Sequence, residues 1–271
     1  MAVPTDSLDD ALDTAALASR AARFSTPLSV EVLDECASTS SVLLERAAVG
    51  AAHGSVLACE HQSAGRGRRG NPWFSARGGS IAFSLLWRFE ARPAALSGLS
   101  LAAAVLVARA LEREGAAGVR LKWPNDLLHG DAKLGGILVE VSGEARGPSA
   151  AVIGVGLNVR LDAEARARIG QPVADLAGCA ASVPSRTELL AALLDSLAQG
   201  LARFGREGFA PFRDEWQRRH AWQGRRVALT ASGRRVVEGE ALGVAEDGAL
   251  VLRSPGGVER FHSGELSLRP A

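Results

Sequence analysis

Apolar positions along the chain fall into two kinds of pattern. Ser80 to Phe89 alternates well enough to predict a strand, and shorter runs predict others at 28–33, Val56 to Cys59, 119–122, 136–142 and 150–159. Helical spacing governs Leu96 to Glu114, a long apolar helix that Gly115 would end. Ser38-Thr39-Ser40-Ser41 is an N-cap cluster opening a helix through about Arg46. Ser185-Arg186-Thr187-Glu188 is a capping box starting a helix to about Phe204, and a second helix spans roughly 208–220. Gly143 to Pro148 has hairpin composition, and residues 1–27 are Ala-rich with a weak helical pattern that Pro27 closes.

After Trp222 the texture changes. Val227 to Thr230, Val236 to Leu242 and Leu250 to Arg253 are β-rich runs parted by turns at Gly233, Gly248 and Gly256-Gly257. About 50 residues of this kind predict a small SH3-like β-barrel. The fold class expected is α/β (α+β), a mixed β-sheet with helices covering one side, with that barrel appended. The expected divisions are an extension at 1–27, a main domain at 28–222 and the C-terminal unit at 223–271.

Composition narrows the function classes. The 271 residues are 47% apolar and 23% charged with net charge +1, which disfavours a globally basic nucleic-acid binder. No apolar run reaches the roughly 18 residues of a membrane span. Asp6, Asp9, Asp10 and Asp13 stand where a secretory signal would carry basic residues. Cys36, Cys59 and Cys179 form no CxxC pair and read as reduced, mostly buried thiols of a cytoplasmic protein.

Of 31 Lys+Arg residues only Lys122 and Lys133 are lysines, and Asn71, Asn125 and Asn158 are the only asparagines. A bias that replaces Lys by Arg wherever tolerated leaves Lys where a compact point charge is needed. One such survivor would be chance at an exposed site. Here four of the five fall in three short motifs, Lys122-Trp123-Pro124-Asn125-Asp126, Lys133-Leu134-Gly135-Gly136 and Gly154-Val155-Gly156-Leu157-Asn158, and Asn71 closes a fourth.

That fourth motif, Gly65-Arg66-Gly67-Arg68-Arg69-Gly70-Asn71-Pro72-Trp73, matches G-x-G-x-x-G, and Glu90 follows at about the distance of a ribose carboxylate. Context rejects a dinucleotide turn, which must open a helix. Pro72, Gly78 and Gly79 follow instead, and Ser80 starts a strand. Arg66, Arg68, Arg69 and Arg77 make a cationic, glycine-rich loop that could order over an anion. A solvated basic loop touching nucleic acid fits the same residues equally well.

In Lys122-Trp123-Pro124-Asn125-Asp126, Pro124 would stop strand pairing, so that Lys122, Asn125 and Asp126 project from the sheet end. Lys122 can neutralise phosphate, Asn125 can donate amide hydrogens, and Asp126 can hold a metal directly or through water. A surface turn with a weak Lys–Asp pair accounts for this motif alone. The paired glycines after Lys133, and Gly154 and Gly156, let a ligand approach the backbone closely. The five histidines show no i,i+4 pair or HExxH spacing, and there is no nucleophile elbow or GxxxxGK[ST] loop.

Together these motifs resemble the bacterial biotin protein ligases over nearly the whole chain, from Ser38-Thr39 to Arg269. The signatures are Gln62 followed by GRGRRG and Trp73-Phe74-Ser75, KWPND, KLGGILVE, GVGLN and Gly264-Glu265-Leu266-Ser267-Leu268-Arg269. The resemblance implies a class II synthetase-like core that activates biotin with ATP and Mg²⁺ and passes it to a lysine of a biotin carboxyl carrier domain. It implies a biotin pocket of Ser38, Thr39, Ser40, Gln62, Arg66, Gly67, Arg68 and Lys133, with Ser40 standing where many relatives carry Asn. It implies an ATP or adenylate site of Arg66, Arg68, Arg69, Trp73, Lys122, Asn125, Asp126, Lys133, Asn158 and Arg269. Lys133, Arg68 and Lys122 are the expected catalytic residues; the metal ligands and the general base of the transfer step stay unassigned, with Asp126 a weak candidate for the base. Only 28 residues precede Ser29, too few for the winged helix-turn-helix of members that double as repressors. The expectation is therefore a monomer or weak homodimer that binds neither DNA nor membrane. Two rivals are a lipoate or octanoate ligase or transferase of related architecture and a non-enzymatic sensor of biotin or its adenylate.

Overall fold

Alternation of strand-forming runs with capped apolar helices produces two sheets in the chain, a computed structural model that describes residues 10–231, 234–264 and 266–271. The expected turn at Gly233, and Asp6, Asp9 and Glu265, lie outside the described residues. The order begins α1 (Thr14–Ala21), β1 (Ser29–Cys36), α2 (Thr39–Ala48), β2 (Ser55–Gln62), β3 (Ser80–Phe89) and α3 (Leu99–Arg113). It continues with β4 (Val119–Lys122), β5 (Asp126–His129), β6 (Ala132–Gly143), β7 (Ser149–Asn158) and α4 (Ala163–Ile169). Next come α5 (Arg186–Glu207), α6 (Ala210–Arg219), β8 (Arg226–Ala231) and β9 (Arg234–Val244). β10 (Leu250–Ser254), β11 (Gly257–Phe261) and β12 (Leu266–Pro270) end the chain.

The first sheet has the order β1-β2-β3-β7-β6-β5-β4. β1 and β2 run parallel through the crossover helix α2, and every other pair is antiparallel, so the sheet is mixed. Its main core face takes α3 and α5. Ile81, Phe83, Leu85, Trp87 and Phe89 point there from β3, to meet helix residues such as Val105, Leu106, Leu193 and Leu197. The capping box at Ser185 and Glu188 forms as the sequence predicts.

Helices do not cover one side only, as expected. α2 lies on the opposite face, where Leu43 packs with Leu86, Ala150 and Val152. A parallel β1–β2 pair requires its crossover helix to lie against a face, and here that face is the second one. β3 is therefore buried on both sides except at Arg88. A second correction concerns Pro124, where pairing does not stop: β4 and β5 form a hairpin with Lys122 directly opposite Asp126. The Trp123–Pro124 peptide in its turn is cis.

By length and mean hydropathy, 1.9, Pro93–Arg113 could also cross a membrane, although charged residues interrupt its apolar run. In the fold it is a core helix, with eleven of the fifteen residues of α3 buried.

The second sheet is antiparallel, β11-β10-β9-β8-β12. Its apolar face, with Val227, Leu229, Leu250, Leu252 and Leu268, joins the main hydrophobic core. Polar ties fix it too: fully buried Trp123 donates from Nε1 to the Gly248 carbonyl at 3.1 Å, and Arg213 Nε donates to the Val244 carbonyl at 2.9 Å. A residue of the KWPND turn thus anchors the second sheet over the end of the first. The three cysteines are free thiols, Cys59 and Cys179 buried and Cys36 half-buried.

Candidate active site

Strand register builds the floor of a cavity of about 560 Å³, a size suited to a small-molecule ligand. Ala82, Gly156, Gly136, Asp126 and Lys122 stand in register across β3, β7, β6, β5 and β4. Residues paired in this way share a face of the sheet. The row runs from a flat glycine floor to a charged edge. Beside it, Ser84, Gly154 and Leu138 form a second row.

Both glycines of β7 make room for named groups. A Cβ at Gly156 would meet ring carbons of Trp73 at 2.5 and 2.8 Å, and one at Gly154 would meet Ser40 Oγ at 2.5 Å. The indole therefore lies against bare backbone.

At the charged edge Lys122 Nζ donates to Asp126 Oδ2 at 2.7 Å, and Lys133 Nζ lies 2.8 Å from Asp126 Oδ1. The two lysines of the sequence converge on one carboxylate. Lys133 reaches it by arching over Gly136, where an added Cβ would touch its Nζ at 3.5 Å. The Lys133 ammonium also faces the Trp73 ring, 5.9 Å from its centroid, and Lys122 faces Trp222 at 5.8 Å. Burial would push the Asp126 carboxyl up, yet Lys133 and Lys122 together outweigh it and hold it below the ordinary carboxylate value. Burial pulls the Lys122 ammonium below the ordinary lysine value, Asp126 opposing and Arg269 and Lys133 reinforcing. Two cations share one anion, so the carboxylate is better satisfied than either cation.

At the α2 end of the cavity the side chains are polar but uncharged. The Thr39 backbone N–H donates to Gln62 Oε1 at 2.8 Å, and Ser84 Oγ sits 2.9 Å from Thr39 Oγ1 and 3.0 Å from Ser40 Oγ. Ser38, Thr39, Ser40 and Gln62 are all buried. Ser38 is the N-cap of α2 by backbone geometry, but its hydroxyl makes no capping bond. Ser84 escaped the sequence reading; its only signal was a serine inside the apolar run Ile81-Ala82-Phe83-Ser84-Leu85-Leu86.

The arginine loop folds as a tight turn over this floor. Gly67 N–H donates to the Asn71 carbonyl at 2.7 Å and Trp73 N–H to the Gly65 carbonyl at 2.8 Å. Arg69 adopts φ 58°, the left-handed region. Arg66 pairs with Glu140 at 2.6 Å and donates to Ser41 Oγ at 3.0 Å. Arg68 donates from Nη2 to the Ser263 and Gly264 carbonyls at 3.0 and 2.9 Å, and Arg69 donates to Ser267 Oγ at 2.5 Å. Burial lowers the Arg68 pKa, and neighbouring Arg69 adds to the effect. Ser267, Leu268, Arg269 and Pro270 of β12 supply the facing wall.

The cavity thus brings together all the candidate residues but one. Asn158 is buried outside its lining and donates from Nδ2 to the carbonyls of Lys133, at 3.3 Å, and Ala174, at 3.0 Å. The end of β7 turns its amide toward the chain beneath Lys133, so Asn158 reaches the site only through that backbone. Asn125 lines the cavity while its amide donates to the Ile137 carbonyl at 3.0 Å. Among the described residues no group of three or more His, Cys, Asp or Glu side chains is placed to hold a metal ion.

Residues 35–158 match the biotin/lipoate A/B protein ligase family, and residues 224–269 match the biotin protein ligase C-terminal domain. The bifunctional ligase/repressor BirA of Escherichia coli is 38% identical over 244 residues, covering 90% of this chain and 75% of the relative. The biotin--[acetyl-CoA-carboxylase] ligase of Paracoccus denitrificans is 34% identical over 215 residues, covering 78% and 88%. The biotin protein ligase from Aquifex aeolicus in complex with biotin and ATP superposes with a TM-score of 0.75 at 28% identity, over 89% of this chain and 99% of that one.

Proposed function

Since the chain belongs to the biotin protein ligase family, we propose that it joins biotin to ATP as biotinyl-5′-AMP and passes the biotinyl group to a lysine of a biotin carboxyl carrier domain. One observation carries the reading at the level of chemistry. Two ammonium groups converge on a single carboxylate at the edge of a side-chain-free floor, inside a cavity large enough for a vitamin and a nucleotide. The first step needs that arrangement, because the biotin carboxylate must approach the α-phosphate, anion against anion.

In the first step the biotin carboxylate oxygen attacks the α-phosphorus and pyrophosphate leaves with the P–O electron pair. Lys133 draws carboxylate and phosphate together, and Lys122 and Arg269 take phosphate charge. Charge stabilisation of this kind dominates when the protein forms no covalent bond itself. The hydroxyls of Ser38, Thr39 and Ser40 and the Gln62 amide receive the ureido ring, a group rich in donors and acceptors, and Ser84 holds the Thr39 and Ser40 hydroxyls from behind. Gly156 makes room for the Trp73 indole and Gly136 for the Lys133 side chain, so both groups are held against the floor for the ligand. Arg66 is available to the ligand because its exposed pair with Glu140 is worth little. Asn158 positions the Lys133 backbone.

Mg²⁺ belongs with the nucleotide in this scheme. Asp126, the buried acid of the cavity, has each oxygen bonded to an ammonium, so these residues do not form a Mg²⁺ cage. Residues 28–222 act as the catalytic unit and 223–271 as the closing wall, with 1–27 an extension. A cytoplasmic setting, with ATP at hand and thiols reduced, suits the chemistry.

The test is direct. A carrier domain incubated with the protein, ATP and biotin should react with streptavidin, and should stay blank without ATP. Labelling with lipoate or octanoate in place of biotin would favour the related ligases. Lys133→Ala should slow biotinyl-adenylate formation about 10²–10³-fold, the loss of one preorganised charge contact; a rate near that of the parent overturns the assignment.

A further inference from the structure

The transfer step reverses the electrostatic demand of the first. A carrier lysine arrives as a cation, and six cationic side chains, Arg66, Arg68, Arg69, Lys122, Lys133 and Arg269, line the cavity among the described residues. Like charges at this density repel it. Only two carboxylates, Asp126 and Asp131, line the cavity among the described residues, and no His, Cys or Glu does. Asp126 is 8% exposed, and each of its oxygens is engaged by an ammonium. Asp131 differs on every count. It is exposed, it occupies the Gly130-Asp131 turn between β5 and β6, and it makes no hydrogen bond or ion pair among the described residues. The turn places it two residues before Lys133, and its Gly130 adopts φ 57°. The neighbouring rim residues Gln171 and Pro172 carry no charge.

We propose that Asp131 is the guide for the acceptor lysine, pairing with its ammonium at the cavity mouth and delivering it past the cationic lining to the acyl-adenylate. The proposal rests on the ligase reading. The step balances as follows. The ammonium gives one proton to water, and the amine nitrogen then attacks the acyl carbon of biotinyl-AMP. The C–N bond forms, the C–O bond to phosphate breaks, and AMP leaves with the electron pair. A second proton passes from nitrogen to solvent as the amide forms. Asp131 is a positioning residue in this scheme: it acts before attack, on the charged form of the nucleophile.

The experiment uses that charge. Biotinyl-adenylate is formed on the parent and on Asp131→Asn and Asp131→Lys, then chased with the carrier domain, with N-acetyl-lysine amide or with hydroxylamine, which is neutral near pH 7.5. The rates with both lysine nucleophiles, relative to hydroxylamine, should fall about threefold to fivefold in Asp131→Asn, as for a partly solvated ion pair. They should fall further in Asp131→Lys, and the deficit should shrink at high salt. Unchanged ratios overturn the proposal, as does an equal slowing with all three nucleophiles, which marks a structural role. A deficit with the carrier alone also overturns it, since Asp131 would then be reading the carrier's surface. If the parent forms no adenylate, the ligase reading itself fails; if it does and the ratios hold, only Asp131's role falls.

Discussion

Asp126→Asn keeps the shape of the charged edge and removes its only anion. In the parent each carboxylate oxygen lies 2.7–2.8 Å from an ammonium. At an effective dielectric of 20, each contact is worth about 6 kcal/mol before desolvation is subtracted. Breaking a buried pair from one side costs about 3–5 kcal/mol. Here the ammoniums keep some access to water through the cavity, with side-chain exposures of 13% and 25%, so the low end, about 3 kcal/mol, applies. For a chain of this size that lowers Tm by about 6–12 °C.

Two further signs follow from the same substitution. Asp126 raises the Lys122 pKa against burial, so without it Lys122 loses its proton at lower pH. The alkaline limb of pyrophosphate release should therefore move downward. The Asp126 carboxyl is held below its ordinary value of 3.8, so its stabilisation is complete above that pH and is lost as pH falls through the lower native value. The variant should lack that loss. Finally, ATP with biotin brings anions to two uncompensated lysines, so the ligands should raise Tm more in the variant than in the parent. Differential scanning calorimetry with and without ligands checks both. A variant as stable as the parent, or one whose ligand-induced shift is no larger, would refute the view that Asp126 holds the lysines.

Gly156→Ala puts a methyl where Trp73 lies and should displace the indole, slowing adenylate formation about 10²-fold, as a misplaced site wall of about 1 Å does; normal activity with unshifted tryptophan fluorescence would count against it. His220, fully buried and stacked on Trp216, has its pKa pulled down to about 4 by burial. The unfolded chain binds that proton first, so stability should fall by about 3 kcal/mol as pH drops from 6.5 toward 4. In His220→Gln the slope over that window should be smaller by that amount, whatever the variant's absolute stability; an unchanged slope in urea titrations would show that other groups carry it.

Scarcity made the charged edge legible. Against a background of arginine, Lys122 and Lys133 stood out as positions where the exchange was refused, and both line the cavity. A Lys122–Asp126 pair was legible only as a weak surface turn; that it is buried and shared with Lys133 follows from a hairpin register that Pro124 was expected to prevent. Ser84 and Asp131 were invisible for a related reason: each gains its place only from the fold, Ser84 as a buried serine of an apolar strand that bonds Thr39 and Ser40 behind the lining, and Asp131 as an ordinary turn residue that faces the cavity. Asn158 shows the opposite failure. Its motif sits at the site, but the last residue of β7 turns its amide into the protein. The helix on the second face was missed because the apolar stripe of α2, Leu43, Leu44 and Ala47, is too short to say which side of the sheet it covers.

The same geometry explains why arginine would not serve at either lysine. A guanidinium binds a carboxylate through two parallel N–H bonds and takes both oxygens. Placed at Lys122 or at Lys133 it would occupy Asp126 alone and displace the other cation from the edge. An ammonium is compact and can spend one of its three N–H donors on one oxygen, so Oδ2 is taken by Lys122 and Oδ1 is left for Lys133. One carboxylate can then hold two point charges side by side, facing the cavity, in a region that would otherwise scatter them by repulsion. When an anionic ligand enters, the edge offers an excess of one positive charge that is already positioned, and little reorganisation is required. The economy of lysine in this chain and the power of its site to gather anions are one electrostatic fact, read first as a residue count and then as a pair of distances.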